Sequence, residues 1–277
     1  MYKRQKAFAE ELYHAAGSLG FDLEVISCER DEDVQDQDIV LISAGEPRLP
    51  GVQMSRRDLA VKNARIIKDI ATAVAPQNPH AKYVVITNPV DSMAMVFKKY
   101  SSAKFVISTG TNLESLRFRS KLARTLKAPV SQVHGWVGGE HGTAAAILWS
   151  TVKINNLSIE DYTVSRGITF SGDALESYVK DVSKFIVDSI GGTEYGPAAS
   201  FLEIVRAIAK DTKETLAVAT PMKFDEIPKP VHVSVPLALG ASIGPTLFEA
   251  LTEEERSRIK NAAQAIYSNY RTTSENM

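Results

Sequence analysis

The sequence predicts an α/β fold, with a doubly wound parallel sheet followed by an α+β unit. Over roughly the first 110 residues, short β-branched runs alternate with helical patterns. That order is the one right-handed crossovers build into a parallel sheet. Beyond it the pattern changes to glycine-broken extended segments, long helices and alternating runs. The composition agrees: 44% of the 277 residues are hydrophobic and 23% charged, ordinary for a globular chain.

Residues 6–16 predict a helix, with Phe8, Leu12 and Ala15 or Ala16 on one stripe. A strand-like run follows at 22–27 (DLEVIS), then a charged turn and a stronger run at 39–44 (IVLISA). Residues 45–57 hold two prolines and two glycines without periodicity and predict a loop. Leu59, Ile66, Ile67, Ile70, Ala71 and Val74 then fit a helical period, which Pro76 and Pro79 stop. The short apolar run 83–87 (YVVIT) suits a strand buried on both faces. Asn88-Pro89 ends it, and 91–100 predicts a helix. A strand at 105–108, Gly110 and a helix over about 112–127 complete this half.

Residues 131–155 look extended and are broken by Gly135, Gly138, Gly139 and Gly142. Helices are predicted at about 173–190 and 197–211, and antiparallel strands at 215–220 and 231–239. Thr252 opens the last helix with a capping box to Glu255. A domain boundary near residue 111 divides the chain into 1–111 and 112–277.

Charge and cysteine content exclude several classes. Lys plus Arg number 32 against 33 Asp plus Glu, a net charge of −1. No basic excess draws the chain to nucleic acid or anionic lipid, so placed cations must meet any anionic ligand. Cys28 is the only cysteine, which permits no internal disulfide and suits a reducing compartment. No apolar run approaches the ~18 residues of a membrane span, and the charged N-terminus lacks a signal-peptide core. The expectation is a cytoplasmic protein with no nucleic-acid or membrane partner and no metal site.

Four segments carry chemistry. The loop after 39–44 holds Arg48 and, further on, Arg56-Arg57-Asp58-Leu59; alone it reads as a solvated loop. Asn88-Pro89-Val90-Asp91 follows a buried strand, where open parallel sheets place their ligands. Glu114 and Arg117 share one helix face, as an ordinary ion pair also would. Gly139-Glu140-His141-Gly142 sets a histidine between glycines, which can aim it into a cleft.

Together these segments, with Ser43-Ala44-Gly45 and Gly192-Thr193-Glu194-Tyr195-Gly196-Pro197, resemble the malate/lactate dehydrogenase family, its malate branch in particular. The resemblance runs from about residue 7 to 270. It implies a Rossmann-type doubly wound sheet plus an α+β substrate domain, and hydride transfer between a nicotinamide cofactor and a 2-keto acid. NAD is the expected cofactor, with NADP left open, and a homodimer or homotetramer is expected.

By the same resemblance His141 is the general acid/base, a task that suits its titration range. Glu114 orients it, standing where the family usually has Asp. Arg117 grips the substrate's 1-carboxylate through the bidentate pairing guanidinium makes well. Arg56 polarises the reacting carbonyl as its loop closes, and Arg48 pairs with the distal carboxylate of oxaloacetate. Asn88 contacts cofactor and substrate, Gly45 and Asn63 lie on the cofactor side, and Thr193 lines the substrate pocket. Val52-Gln53 look like an insertion between the arginines, which leaves Arg57 a candidate for Arg56's role. Thr143 stands where the family commonly has Asp.

The family begins with a strand, a G-x-G-x-x-G turn, a helix and a second strand, and none precedes residue 7 here. The expected fold is therefore an N-terminally truncated version of the Rossmann-type sheet. Losing the amides that bind pyrophosphate would weaken cofactor binding by roughly 10³-fold or more. Two readings follow: an enzyme whose N-terminus is lost from the record, or a non-catalytic remnant acting as a binding protein.

The Arg48 assignment generates a direct outcome. Arg48→Gln should shift the oxaloacetate-to-pyruvate ratio of kcat/KM by about 10²–10⁴-fold, on the order of 3–5 kcal/mol. Steady-state kinetics on both keto acids measure it. An equal fall for both would move the distal-carboxylate role to Arg56 or Arg57.

Overall fold

The computed structural model describes residues 2–20, 22–46 and 56–277, without the side chains of Tyr2 and Arg56. The first half runs α1 (Tyr2–Ala16), β1 (Ile39–Ile42), α2 (Arg56–Val74), β2 (Lys82–Val85), α3 (Val90–Tyr100), β3 (Phe105–Ser108). Then come α4 (Asn112–Leu126), β4 (Val133–His134), β5 (Val137–Gly139), β6 (Ala145–Ile147), β7 (Lys153–Ile154) and β8 (Leu157–Ser158). The helices α5 (Ile159–Arg166), α6 (Gly172–Ile190) and α7 (Tyr195–Lys210) follow. The chain finishes with β9 (Glu214–Leu216), β10 (Ala219–Met222), β11 (Val231–Ser234), β12 (Leu237–Leu239), β13 (Ile243–Thr246) and α8 (Glu253–Glu275).

One seven-stranded sheet, in the order β1-β2-β3-β10-β11-β5-β6, organises the molecule. β1, β2 and β3 run parallel, in step from Ile39↔Lys82 and Lys82↔Phe105 onward. β10 then joins β3 antiparallel at Ala219↔Ser108, so the sheet passes between the two halves of the chain without a break. Helices cover both faces, as a doubly wound sheet requires. Ile67 of α2, Phe97 of α3 and Ile259 of α8 pack with Tyr83 and Val85 on one face. Ile204 and Ile208 of α7 pack with Val84 and Ile107 on the other. A further core gathers α4, α5 and α6 around Phe118, Leu122 and Ile154. No described helix is long and apolar enough to cross a membrane.

Several sequence expectations are corrected. Residues 22–27 form no strand, although their period-two burial survives: Leu23 and Val25 are half-buried while Glu24 and Ile26 are exposed. A strand needs a ladder partner, and among the described residues none lies beside this run; Val25 N–H instead donates to the Tyr13 hydroxyl at 2.8 Å. The α1 stripe stays largely uncovered, with Phe8 and Leu12 exposed and only Ala16 buried. The runs 215–220 and 231–239 each split into two strands that serve different sheets. Pro236 divides the second, since it has no N–H to continue a ladder.

Another proline is accommodated inside the main sheet. Pro221 of β10 pairs with His232 of β11, and the β3 register carried two residues along sets Pro221 opposite Val106. Proline offers Val106 no N–H. The His232 side chain reaches across instead, its Nε2 donating to the Val106 carbonyl at 3.2 Å. His232 is buried, and its Nδ1 has no partner among the described residues. Burial, with Lys98 adding to it, pushes the imidazole down to about 4 against the opposing Val106 bond.

His232 therefore stays neutral in the folded protein, while the unfolded chain takes up a proton from its ordinary value of 6.5 downward. Stability should be lost as pH falls through that window, by about 3 kcal/mol when the lower value is passed. His232→Gln keeps a donor and does not titrate, so urea melts of this variant should show a shallower acid dependence than the wild type. Equal slopes would mean that His232 is not held neutral.

Candidate active site

The site is assembled by main-chain groups of β5. The Thr111 hydroxyl donates to the Val137 carbonyl, and Val137 N–H donates to Ser115 Oγ at 3.0 Å. Both polar groups of Val137 are thus taken by side chains at the start of α4, which holds helix and strand in one register. Thr111 N–H also donates to Ser234 Oγ of β11 at 3.0 Å. Gly110 makes this approach: its φ is +51°, and a Cβ would lie 2.6 Å from Ala219 N.

Glu114 sits between those two anchors, and His141 follows β5 in the turn to β6. The Glu114 carboxylate meets His141 Nδ1 at 3.1 Å, and Arg117 Nη1 lies 3.4 Å from its Oε1. Gly139 allows the turn: at φ +93° a Cβ would stand 2.5 Å from the Ala144 carbonyl oxygen. Burial pushes the Glu114 carboxyl up, but the His141 charge and hydrogen bond, with Arg117, hold it below the usual carboxylate value. Burial likewise pushes His141 down, yet Glu114 and Asp91 outweigh it and raise the imidazole to about 9. With Nδ1–H given to Glu114, the protonated ring keeps Nε2–H for another acceptor.

Asp91, on the first turn of α3, holds the other side of His141. Its Oδ2 accepts His141 N–H at 2.9 Å and its Oδ1 accepts the Ser108 hydroxyl at 2.7 Å. Sequence reasoning quoted Asp91 within Asn88-Pro89-Val90-Asp91 but gave it no task. An acid on the helix turn that follows a strand end was the available signal. Ser115, between Glu114 and Arg117, was passed over in the same way.

The proposed cofactor residues form a second cluster, at the carboxyl ends of β1 and β2. Asn63 of α2 is buried; its Oδ1 accepts Glu46 N–H and its Nδ2 donates to the Asn88 carbonyl, both at 2.8 Å. Gly45 lies under this bridge, where a Cβ would be 2.8 Å from Thr87 Cγ2. Asn63 thus ties the two loops together and leaves the Asn88 side chain exposed. An exposed amide beside a parallel-strand end fits the ribose end of a nicotinamide nucleotide. No G-x-G-x-x-G occurs in the 277 residues, so no residue here is assigned to a pyrophosphate.

Thr193 precedes α7, where Gly196 approaches Leu113 closely, next to Glu114 on α4. Arg48, Val52 and Gln53 lie outside the described residues, and of Arg56 only the backbone at the start of α2 is described. Arg57 is exposed on the same turn. Among the described residues no group of His, Cys, Asp and Glu could hold a metal ion.

Comparison with known proteins gives these features a context. Residues 2–105 match the NAD-binding domain of lactate/malate dehydrogenases, and residues 111–276 match their α/β C-terminal domain. The malate dehydrogenase of Sulfurisphaera tokodaii is 43% identical over 265 residues, covering 95% of this chain and 82% of the relative. The L-lactate dehydrogenase of Thermus aquaticus is 30% identical, covering 85% of this chain and 77% of the relative. Among solved structures, malate dehydrogenase from Archaeoglobus fulgidus in complex with NADH superposes with a TM-score of 0.83 at 26% identity. That likeness covers 96% of this chain and 86% of the other.

The Glu114–His141 pair sets a measurable outcome. Glu114→Gln keeps the shape and removes the charge, so the His141 titration should move down by ~1–3 units. NMR of the imidazole nitrogens reads the shift. Because His141 sits above its ordinary 6.5, its contribution to stability is present below that value and lost as pH rises through about 9. The Glu114→Gln variant should lose this alkaline dependence in thermal melts.

Proposed function

This chain belongs to the lactate/malate dehydrogenase family, and on that premise we propose that it interconverts malate and oxaloacetate with NAD. The observation that carries the reading is the Glu114 carboxylate on His141 Nδ1, with Arg117 beside it. Identity to the malate relative exceeds identity to the lactate relative, which favours the dicarboxylic substrate. Arg48, read as the cation for the distal carboxylate, supports the same choice.

In reduction, His141 gives its Nε2 proton to the keto oxygen as that oxygen becomes a hydroxyl; in oxidation it takes the proton back. Glu114 keeps the ring in the required orientation and supports its charge. Arg117 takes the 1-carboxylate, and Arg56, at the start of α2, polarises the reacting carbonyl. A bound nicotinamide would supply the hydride chemistry at the substrate carbon. Asn88 would hold its ribose, and Gly45 and Asn63 would shape the loop on that side. Thr193 lines the substrate pocket. The work divides near residue 111, with 1–111 serving the cofactor and 112–277 the substrate.

We also read the protein as a cytoplasmic homodimer or homotetramer. Phe8 and Leu12 on α1, with Phe185 and Ile190 on α6, are large exposed apolar side chains of the kind that association covers. Sedimentation equilibrium tests this, and a monomer at micromolar concentration would reject it.

The function itself is tested by steady-state kinetics with NADH and oxaloacetate. His141→Asn should lower turnover by about 10²–10⁴-fold while leaving the circular dichroism spectrum intact. For the wild type, kcat/KM for oxaloacetate should hold level from neutral pH to about pH 9 and fall above it, since reduction needs the protonated imidazole. Malate oxidation should rise toward the same pH, since it needs the neutral one. Near-normal activity of His141→Asn would remove His141 from the chemistry.

A further inference from the structure

Asp91 has no part in the reaction set out above, yet its surroundings are those of a working group. It is 3% exposed, and its described donors are one hydroxyl and one main-chain N–H. The hydroxyl belongs to Ser108, the last residue of the parallel strand β3. The N–H belongs to His141, in the hairpin turn of the other half. We propose that Asp91 is a positioning residue for His141: it fixes the histidine's main chain against β3 and sets a second carboxylate beside the imidazole, opposite Glu114. The proposal rests on the reading of His141 as the proton donor.

The charge arrangement explains why a carboxylate stands at this point. From α4, Glu114 and Arg117 face the ring with opposite signs, and Arg117 alone would disfavour an imidazolium. Asp91, from α3, adds negative charge on the main-chain side. Glu140 of the same turn is engaged elsewhere, accepting Ala144 N–H at 3.3 Å and an Asn269 amide of α8 at 3.4 Å. Burial, with Glu140 adding to it, raises Asp91 to about 6 against its donors and the His141 charge. The carboxylate is therefore charged at neutral pH. As pH falls through about 6 it takes a proton and weakens its hold on His141 N–H, while the imidazole, below even its ordinary 6.5, stays protonated. An acid limb near pH 6 in kcat/KM follows, which Glu114, held below the usual carboxylate value, does not supply.

The experiment follows the His141 imidazole by NMR, assigned by its loss in His141→Asn, together with kcat/KM for oxaloacetate across pH. Asp91→Asn preserves an acceptor for His141 N–H and removes the charge. The imidazole titration should drop by ~1 unit or more, and the acid limb should vanish. If the variant titrates like the wild type and keeps its acid limb, Asp91 is only a structural tie and the proposal fails. Ser108→Ala guards against a variant that does not fold. It strips one donor from the carboxylate, so the acid limb should move up toward neutral pH, and an unmoved limb also overturns the proposal. Should the wild type not reduce oxaloacetate, the proposed function fails alone, and the imidazole shift still decides the role of Asp91.

Discussion

Everything in the site depends on how α4 is fastened to β5. Val137 lies in an inner strand of the sheet, where an unpaired main-chain group would be costly. Its carbonyl and N–H are taken by Thr111 and Ser115, one helical turn apart on α4. Two bonds from one helix to one residue leave no freedom to slide. Glu114 is one residue from Ser115, and His141 is four beyond Val137. The distance between carboxylate and imidazole is thus decided by backbone hydrogen bonding rather than by the pair's own attraction.

That order of causes explains how buried charges persist here. Glu114 and Asp91 are nearly sealed from solvent, and His141 is only partly open. An isolated ion in such a place would neutralise by shifting its pKa. Held in contact, the groups support one another: Glu114 stays ionised and His141 stays protonated well past neutrality. Asp91, whose nearest positive charge is shared with Glu114, is the member left close to its titration point. A rigid backbone frame makes the unequal division possible, because no side chain can relax toward its preferred partner.

The same economy of donors runs through the sheet. Where Pro221 interrupts the ladder, a histidine from the next strand supplies the missing bond. Where β3 must pass into the second half, Gly110 brings the chain against β10 and β11 closely enough for Ser234 to accept Thr111 N–H. The parallel half and the antiparallel half are therefore one hydrogen-bonded body, and residues from both reach His141.

Periodicity and punctuation in the sequence were enough to determine the order of helices and strands from β1 to α4, because burial on one or two faces imposes a period that local sequence must carry. The alternation of Leu23, Val25 and Ser27 shows the limit of that rule: the period is written, but with no adjacent strand among the described residues no ladder forms. The short motifs, joined by the family resemblance, likewise grouped Glu114, Arg117 and His141, and the structure brings the three into contact. Only the tertiary structure decided that Asp91 belongs with them and that Asn63 spends both ends of its amide inside the protein. Their meaning lies in which groups meet across 50 residues of chain or 17, and hydrogen-bond partners at such separations leave no period in the sequence.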